Sequence, residues 1–390
     1  MIRSTTQRFL IAGGGTGGHV YPGLAVAEEL QVLSPGCEVR FAGTRRGLEF
    51  LLVPRAGFQL YIVPASGFRG MGFGARFRFV LNFFAGLCKS LWLLLRWRPA
   101  VVLGTGGYVS APVLAAASLL RRPTALQEQN AFPGSANRLL GRWARRIYLG
   151  FAAAAEYFPN RDVLVTGNPV RAGFRPENLA ELPAEVEPPR AATANDDEEL
   201  RVLVFGGSAG ASTLNRAVAA AAARWSTEAN LAIWVQTGPA DLEAVREAFA
   251  DFPDGRVRID PYIFAMPAVL GWADLAVCRS GAMTLAELAA AGKPAILVPY
   301  PHATDDHQLK NARDCETAGA AVVLEDADCH GESLADRVAA LAADRPRLAA
   351  MSQAAIGRRN LDAASRIARD IIALGSGTAA TVVQEADHVS

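Results

Sequence analysis

Residues 8–23 read RFLIAGGGTGGHVYPG, and the order of this stretch decides the fold. Phe9–Ala12 is a short apolar run. Five glycines then surround Thr16, and Pro22 falls in the first turns of a following helix. A strand that passes through a glycine loop into a helix opens a βαβ unit. Glycine permits positive φ and close approach of backbone amides, and a helix start adds roughly half a positive charge. The loop therefore predicts an anion site, with Gly14 and Gly15 at its centre. Gly13, Gly15 and Gly18 also satisfy G-x-G-x-x-G, the dinucleotide fingerprint. That fingerprint wants an acid near the end of the second strand to hold a ribose. Here EVRFAGT (38–44) ends in Gly43 and Thr44, with Glu38 at its start, so nicotinamide binding is not expected. His19 begins the helix, and its near-neutral reference pKa suits removal of a proton from a hydroxyl.

Outward from this stretch the same rhythm continues. RFLIAG, EVRFAG, FQLYIVP, AVVLG, PTALQE and DVLVTG alternate with helical patterns in the first half. RVLVFGG, LAIWVQTG, RVRIDP, DLAVCR, PAILVPY and AAVVLE do so in the second. Strands alternating with helices imply parallel sheets covered on both faces. The expectation is an α/β chain of two doubly wound, Rossmann-like domains facing a central cleft. Residues 1–173 form the first domain, 174–200 an acidic Pro-rich linker and 201–360 the second domain. A C-terminal helix at 361–375 precedes a disordered tail at 376–390.

The 390 residues are 51% hydrophobic and 20% charged, a globular composition. The net charge of +1 is unevenly spread, because residues 1–165 hold 19 Lys/Arg against 7 Asp/Glu. A basic half joined to an acidic half suggests that the first half meets something anionic; by charge alone nucleic acid, a membrane surface or a phosphorylated ligand would serve equally well, and no nucleic-acid partner is expected. Five scattered cysteines without CxxC or Cys/His spacing read as reduced thiols, with no metal site. The segment ARFRFVLNFFAGLCKSLWLLLRWR (75–98) is apolar nearly all round. Arg78, Asn82 and Lys89 interrupt it, so it does not read as a transmembrane helix. It is either a helix packed on the sheet or an interfacial patch. Phe68, Met71, Phe73 and Phe77, with Arg76 and Arg78, predict membrane contact for the loop and helix start.

Other strand ends carry polar or flexible groups. VVLGTGGYVSAP (101–112) presents Tyr108, ALQEQNAFPG (125–134) presents Glu128 and Asn130, and VTGNPVR (165–171) ends in Arg171. RVLVFGGSAGAS (201–212) is a second strand–glycine–helix unit in which Ser208 can donate to a diphosphate. It also satisfies G-x-S-x-G, so a serine hydrolase using His302 or His307 with Asp305 is the alternative of a different class. In CRSGAMTLAELAAAGKP (278–294), Thr284 and Glu287 fit a capping box. As a ligand group, Glu287 would instead accept from both ribose hydroxyls.

With these motifs in order, the chain resembles the bacterial MurG family. GGGTGGHVYPGLAVA, VVLGTGGYVSAP, EQN, VTGNPVR, GGSAGA, CRSGAMTLAELAAAGKPAILVPYPH and DHQLKNA carry the resemblance over nearly the whole chain. It implies a GT-B fold and transfer of N-acetylglucosamine from UDP-GlcNAc to the lipid-linked muramoyl-pentapeptide acceptor, lipid I to lipid II. It implies inversion at the anomeric carbon, no cofactor and no essential metal. It also implies a peripheral place on the cytoplasmic face of the inner membrane. By motif, nucleotide-sugar contacts fall on Thr16, Gly17, Gly18, Asn130, Arg171, Ser208 and Ile263. They continue on Ala282, Met283, Thr284, Leu285, Ala286, Glu287 and Gln308. Gly14, Gly15 and Tyr108 fall to the acceptor, and His19, then Glu128, to the chemistry.

Overall fold

The computed structural model describes residues 6–67, 73–179, 182–184, 186–191, 199–207, 210–228, 230–303 and 306–377; for 73–77 it describes the backbone only. The expectations placed on Phe68, Met71, Ser208 and Asp305, on the side chains of Phe73, Arg76 and Phe77, and on most of the tail lie outside the described residues.

The chain forms two compact units. One comprises residues within 1–129, 133–169 and 362–390, the other 130–132 and 170–361. In the first, the strands are β1 Arg8–Gly13, β2 Glu38–Gly43, β3 Gln59–Ile62, β4 Val101–Gly106, β5 Thr124–Glu128, β6 Arg146–Leu149 and β7 Val163–Val165. They make one parallel sheet in the order β3-β2-β1-β4-β5-β6-β7. Helices α1 Gly17–Leu33, α2 Glu49–Arg55, α3 Phe73–Trp97, α4 Ser110–Leu119 and α5 Ser135–Leu140 connect them. β1 and β4 are buried along almost their whole length, as strands covered on both faces must be.

The second unit has strands β8 Leu200–Phe205, β9 Leu231–Gln236, β10 Val257–Asp260, β11 Leu275–Cys278, β12 Ala295–Leu297 and β13 Ala321–Val323, in the parallel order β10-β9-β8-β11-β12-β13. Its helices are α6 Ser212–Trp225, α7 Leu242–Ala248, α8 Met266–Trp272, α9 Ala282–Ala291, α10 His307–Thr317, α11 Gly331–Ala342 and α12 Arg345–Gly357. Strand alternation splits the β8 side chains between two cores. Leu200, Val202 and Val204 pack with Trp225 and Leu334, while Leu203 and Phe205 pack with Trp234 and Leu288. Both sheets reverse strand order beside their first strand. Ligands of doubly wound sheets bind at that switch point, beyond the carboxyl ends of the strands.

Three differences from the sequence reading have physical reasons. The described part of 174–191 is not a free linker. Phe174 is fully buried and Leu179, Leu182 and Val186 pack on the second core. Isolated apolar residues in an extended Pro-rich run leave no periodicity to read. The last helix, α13 Ala363–Ser376, joins the first unit and packs on α1. Finally, Arg78–Trp97 is long and apolar enough to cross a membrane by length and composition alone. One face of it, with Ser90, Leu93, Leu94 and Trp97 buried, is committed to the first core; Val80, Leu81, Phe84, Trp92 and Leu95 are exposed on the other.

Candidate active site

In the first unit two glycine loops interlock at the switch point. Thr105 donates its hydroxyl to the His19 carbonyl at 2.7 Å, and Ser110 donates to the Ala12 carbonyl at 2.7 Å. Gly106 and Gly107 adopt φ of +106° and +78°, and a Cβ on them would strike the His19 ring and the Gly14 carbonyl. Close approach of the two strand ends thus demands glycine. Thr16 is the N-cap of α1, and its hydroxyl lies 3.3 Å from His19 Nδ1. The His19 pKa is lowered by burial, against which a backbone hydrogen bond to Gly14 and the charge of Glu49 act. A neutral imidazole beside an exposed loop is fit to accept a proton.

Two expectations change here. The loop was expected to offer its amides to an anion, but the Gly15 N–H is already donated to the buried Glu49 carboxylate at 2.7 Å. Glu128 is buried too, and one of its oxygens accepts from Gly134 N–H at 3.2 Å and from the Asn137 amide at 2.8 Å, where α5 begins. That occupation makes it a weaker candidate base than His19. Tyr108 is 54% exposed, with its ring over Gly67.

In the second unit, β8 ends in Gly206 and Gly207, the latter at φ +95°. Gln236, at the end of β9, joins this loop to the next one. Its amide donates to the Gly207 carbonyl at 3.0 Å and accepts from Ile263 N–H at 2.8 Å. Sequence reasoning missed Gln236, because a glutamine closing an apolar strand carries no motif of its own.

β11 leads through Ser280 and Gly281 into α9, whose N-cap is Gly281. The Thr284–Glu287 capping box is therefore not formed, and Glu287 lies a full turn inside the helix. Ala282 and Met283 are buried; Thr284, Leu285 and Ala286 are half-buried. Glu287 is buried, with Arg171 Nη2 at 3.9 Å from its Oε1. Burial raises its pKa to about 7, and the Arg171 charge acts in the opposite sense. Ser280 donates to the Gln308 carbonyl at 2.8 Å, while the Gln308 side chain accepts from Tyr300 N–H at 3.1 Å. Asn130 belongs to this unit with Arg171. The β8 loop, the Ile263 backbone, the start of α9 and Gln308 thus gather around one switch point. Glycine-loop and helix-start amides there suit a diphosphate, and Glu287 suits a ribose.

Residues 9–149 match the Glycosyltransferase family 28 N-terminal domain, and residues 201–367 the C-terminal domain of that family. A UDP-N-acetylglucosamine–N-acetylmuramyl-(pentapeptide) pyrophosphoryl-undecaprenol N-acetylglucosamine transferase of Geobacter metallireducens is 40% identical over 94% of this chain and 98% of its own. An enzyme of the same name from Anaeromyxobacter sp. is 44% identical over 94% of this chain and 93% of its own. The crystal structure of Acinetobacter baumannii MurG superposes with a TM-score of 0.67 at 29% identity, covering 94% of this chain and 99% of that one. The chain belongs to the MurG family. It has that family's GT-B fold, with a Rossmann-like sheet in each unit. MurG membership agrees with where the motifs fall: each glycine loop and the start of α9 lie at a carboxyl strand end of one of the two sheets.

Proposed function

We propose that this chain is an inverting glycosyltransferase that moves N-acetylglucosamine from UDP-GlcNAc to the C4 hydroxyl of undecaprenyl-diphospho-MurNAc-pentapeptide. The observation that carries the reading is Glu287, buried one turn into α9 at the switch point of the second sheet. Its carboxylate accepts from both ribose hydroxyls of the donor. The glycine loop at Gly206–Gly207 and the amides opening α9 meet the diphosphate. Because Ile263 N–H is given to Gln236, the uracil meets the Ile263 carbonyl.

In the first unit, Tyr108 serves the acceptor, and Thr16 with the Gly17 and Gly18 amides meets the transferred sugar of the donor. His19 takes the proton of the C4 hydroxyl as its oxygen attacks C1 of the sugar. The C1–O bond to the β-phosphate breaks, and UDP leaves with the electron pair. Fixed amide dipoles and the α9 terminus stabilise its charge without a resident metal.

Membrane contact belongs to the same reading. Val80, Leu81, Phe84, Trp92 and Leu95 form an exposed apolar stripe, with Arg78, Lys89 and Arg96 exposed on the same helix. Apolar groups entering the acyl boundary beside cations suit a peripheral protein on an anionic leaflet. In this reading the chain works on the cytoplasmic face, where the acceptor's headgroup and UDP-GlcNAc meet.

The test is UDP release by purified protein, with and without lipid-linked muramoyl-pentapeptide, in EDTA. Acceptor-dependent release of UDP with a matching disaccharide product is expected. Release that ignores the acceptor, or that EDTA abolishes, would sink the proposal in this form.

A further inference from the structure

The first unit contains a buried carboxylate that the reaction scheme above leaves unused. Glu49 opens α2 and is fully buried beneath the first glycine loop. Its Oε2 accepts the Gly15 N–H at 2.7 Å. Its Oε1 accepts the Thr44 N–H at 2.8 Å and the Thr44 hydroxyl at 2.7 Å. Both oxygens act only as acceptors, which is the pattern of an ionised carboxylate. A Cβ on Gly14, Gly43 or Gly47 would run into the same side chain. Three glycines, two in loops and one ending β2, are therefore shaped around one carboxylate.

Burying a carboxylate is costly even when its oxygens are filled. A neutral side chain could satisfy the Gly15 amide without bringing negative charge under a loop next to anionic ligands. The charge makes sense if it faces a cation that forms during turnover. His19 is the group placed to become one. Its ring lies against Gly106 of β4 and beside Thr16 of its own helix cap, both neutral, and it is hydrogen-bonded to the Gly14 backbone. Gly14 in turn rests on Glu49. Among the described residues, the charge that acts on the ring is that of Glu49, in the direction that favours imidazolium.

We infer that Glu49 is a positioning residue for the proton transfer: it fixes Gly14–Thr16, aims the His19 ring through them, and steadies the imidazolium formed when the acceptor hydroxyl gives up its proton. The inference rests on His19 being the base, and the experiment separates the two. In full-length protein, the His19 ring carbon is followed by NMR across pH, assigned by its loss in His19→Ala. Glu49→Gln is expected to move the His19 midpoint down by about one pH unit. The acid limb of kcat should move down with it, because the base is then neutral at lower pH. The plateau of kcat should fall about tenfold, since a weaker base drives the transfer less. The KM for UDP-GlcNAc should stay at the wild-type value. Glu49→Asp keeps the charge on a shorter arm and should return the midpoint toward wild type. An unchanged midpoint in Glu49→Gln overturns the inference. So does a loss confined to thermal stability or donor KM while the acid limb stays in place. If His19→Ala keeps wild-type kcat, the base assignment falls, and the midpoint in Glu49→Gln still decides whether Glu49 governs the ring.

Discussion

At the scale of single residues, Glu287 ties chemistry to pH. Its pKa rises from 4.5 to about 7 because burial penalises the charged form. The folded state therefore holds a proton that the unfolded state has lost. The cost of ionising it is absent below pH 4.5, grows as pH rises, and is complete above about pH 7. Glu287→Gln removes that cost. It should raise the thermal midpoint of ligand-free protein at pH 8, by up to roughly 3 kcal/mol of stability, and make no difference near pH 4.5. The same variant should lose donor affinity. In the wild type, the Kd for UDP-GlcNAc by calorimetry should worsen several-fold between pH 8 and pH 6, as the carboxylate proposed to receive the ribose hydroxyls is protonated. A pH-independent Kd would separate Glu287 from the ribose. The placement of Glu287 was legible in the sequence because its helix follows a strand and a Ser-Gly turn. Glu49 and Gln236 were not. Each works by bridging two strand ends that are distant in the chain, and neither belongs to a local pattern.

At the scale of elements, the parallel strands and their helices could be read directly, since fully buried strands appear as continuous apolar runs. α3 could not be resolved that way. A helix apolar on every side announces no preferred face; one face proves to be packed on the core and the other exposed, and membrane contact by the exposed face is the proposal. The packed face follows Gly86, Ser90, Leu93, Leu94 and Trp97, where Gly86 lets the helix lie against Pro64 and Pro112. The exposed face follows Phe84, Cys88, Trp92 and Leu95. The two faces predict opposite phenotypes. Phe84→Glu and Trp92→Glu alter side chains that are 57% and 61% exposed, so the thermal midpoint should hardly move. Co-sedimentation with anionic phospholipid vesicles should fall about tenfold or more for the pair. Leu94→Ala should do the reverse, costing about 2–5 kcal/mol of stability by opening a core cavity while vesicle binding persists. Equal vesicle binding by the double glutamate variant and wild type would remove α3 from the membrane contact.

At the scale of the whole molecule, the chain crosses to the second unit at Val170 and returns to the first at Asp362. Nothing in the local sequence of α13 announces this, because its partners lie more than two hundred residues away. Asp370 is buried where the returning helix meets β6. It accepts the Tyr148 hydroxyl at 2.8 Å and pairs with Arg146 Nε at 3.1 Å. Burial and the Asp370 charge hold the Tyr148 pKa well above its ordinary value, so the phenol remains a donor. Gly375 completes the seat, since a Cβ there would press on Ala100 and Val101 at the foot of β4. A buried charge that loses its partner costs more than the pair contributed. Asp370→Ala leaves the Tyr148 hydroxyl without its acceptor and takes one of two carboxylates from Arg146, which keeps Asp162 at 2.8 Å, and should destabilise the first unit by about 1–3 kcal/mol. Asp370→Asn keeps an acceptor for Tyr148 and should cost less. The second unit contains none of these groups, so its own unfolding should keep the wild-type midpoint. Urea unfolding followed by hydrogen exchange on peptides of each unit would separate the two. Protection should be lost early in β1, β4 and β6 and retained in β8 and β11. Equal loss in both sheets would mean that α13 stabilises the molecule as one cooperative block and is not a clasp for the unit that carries His19.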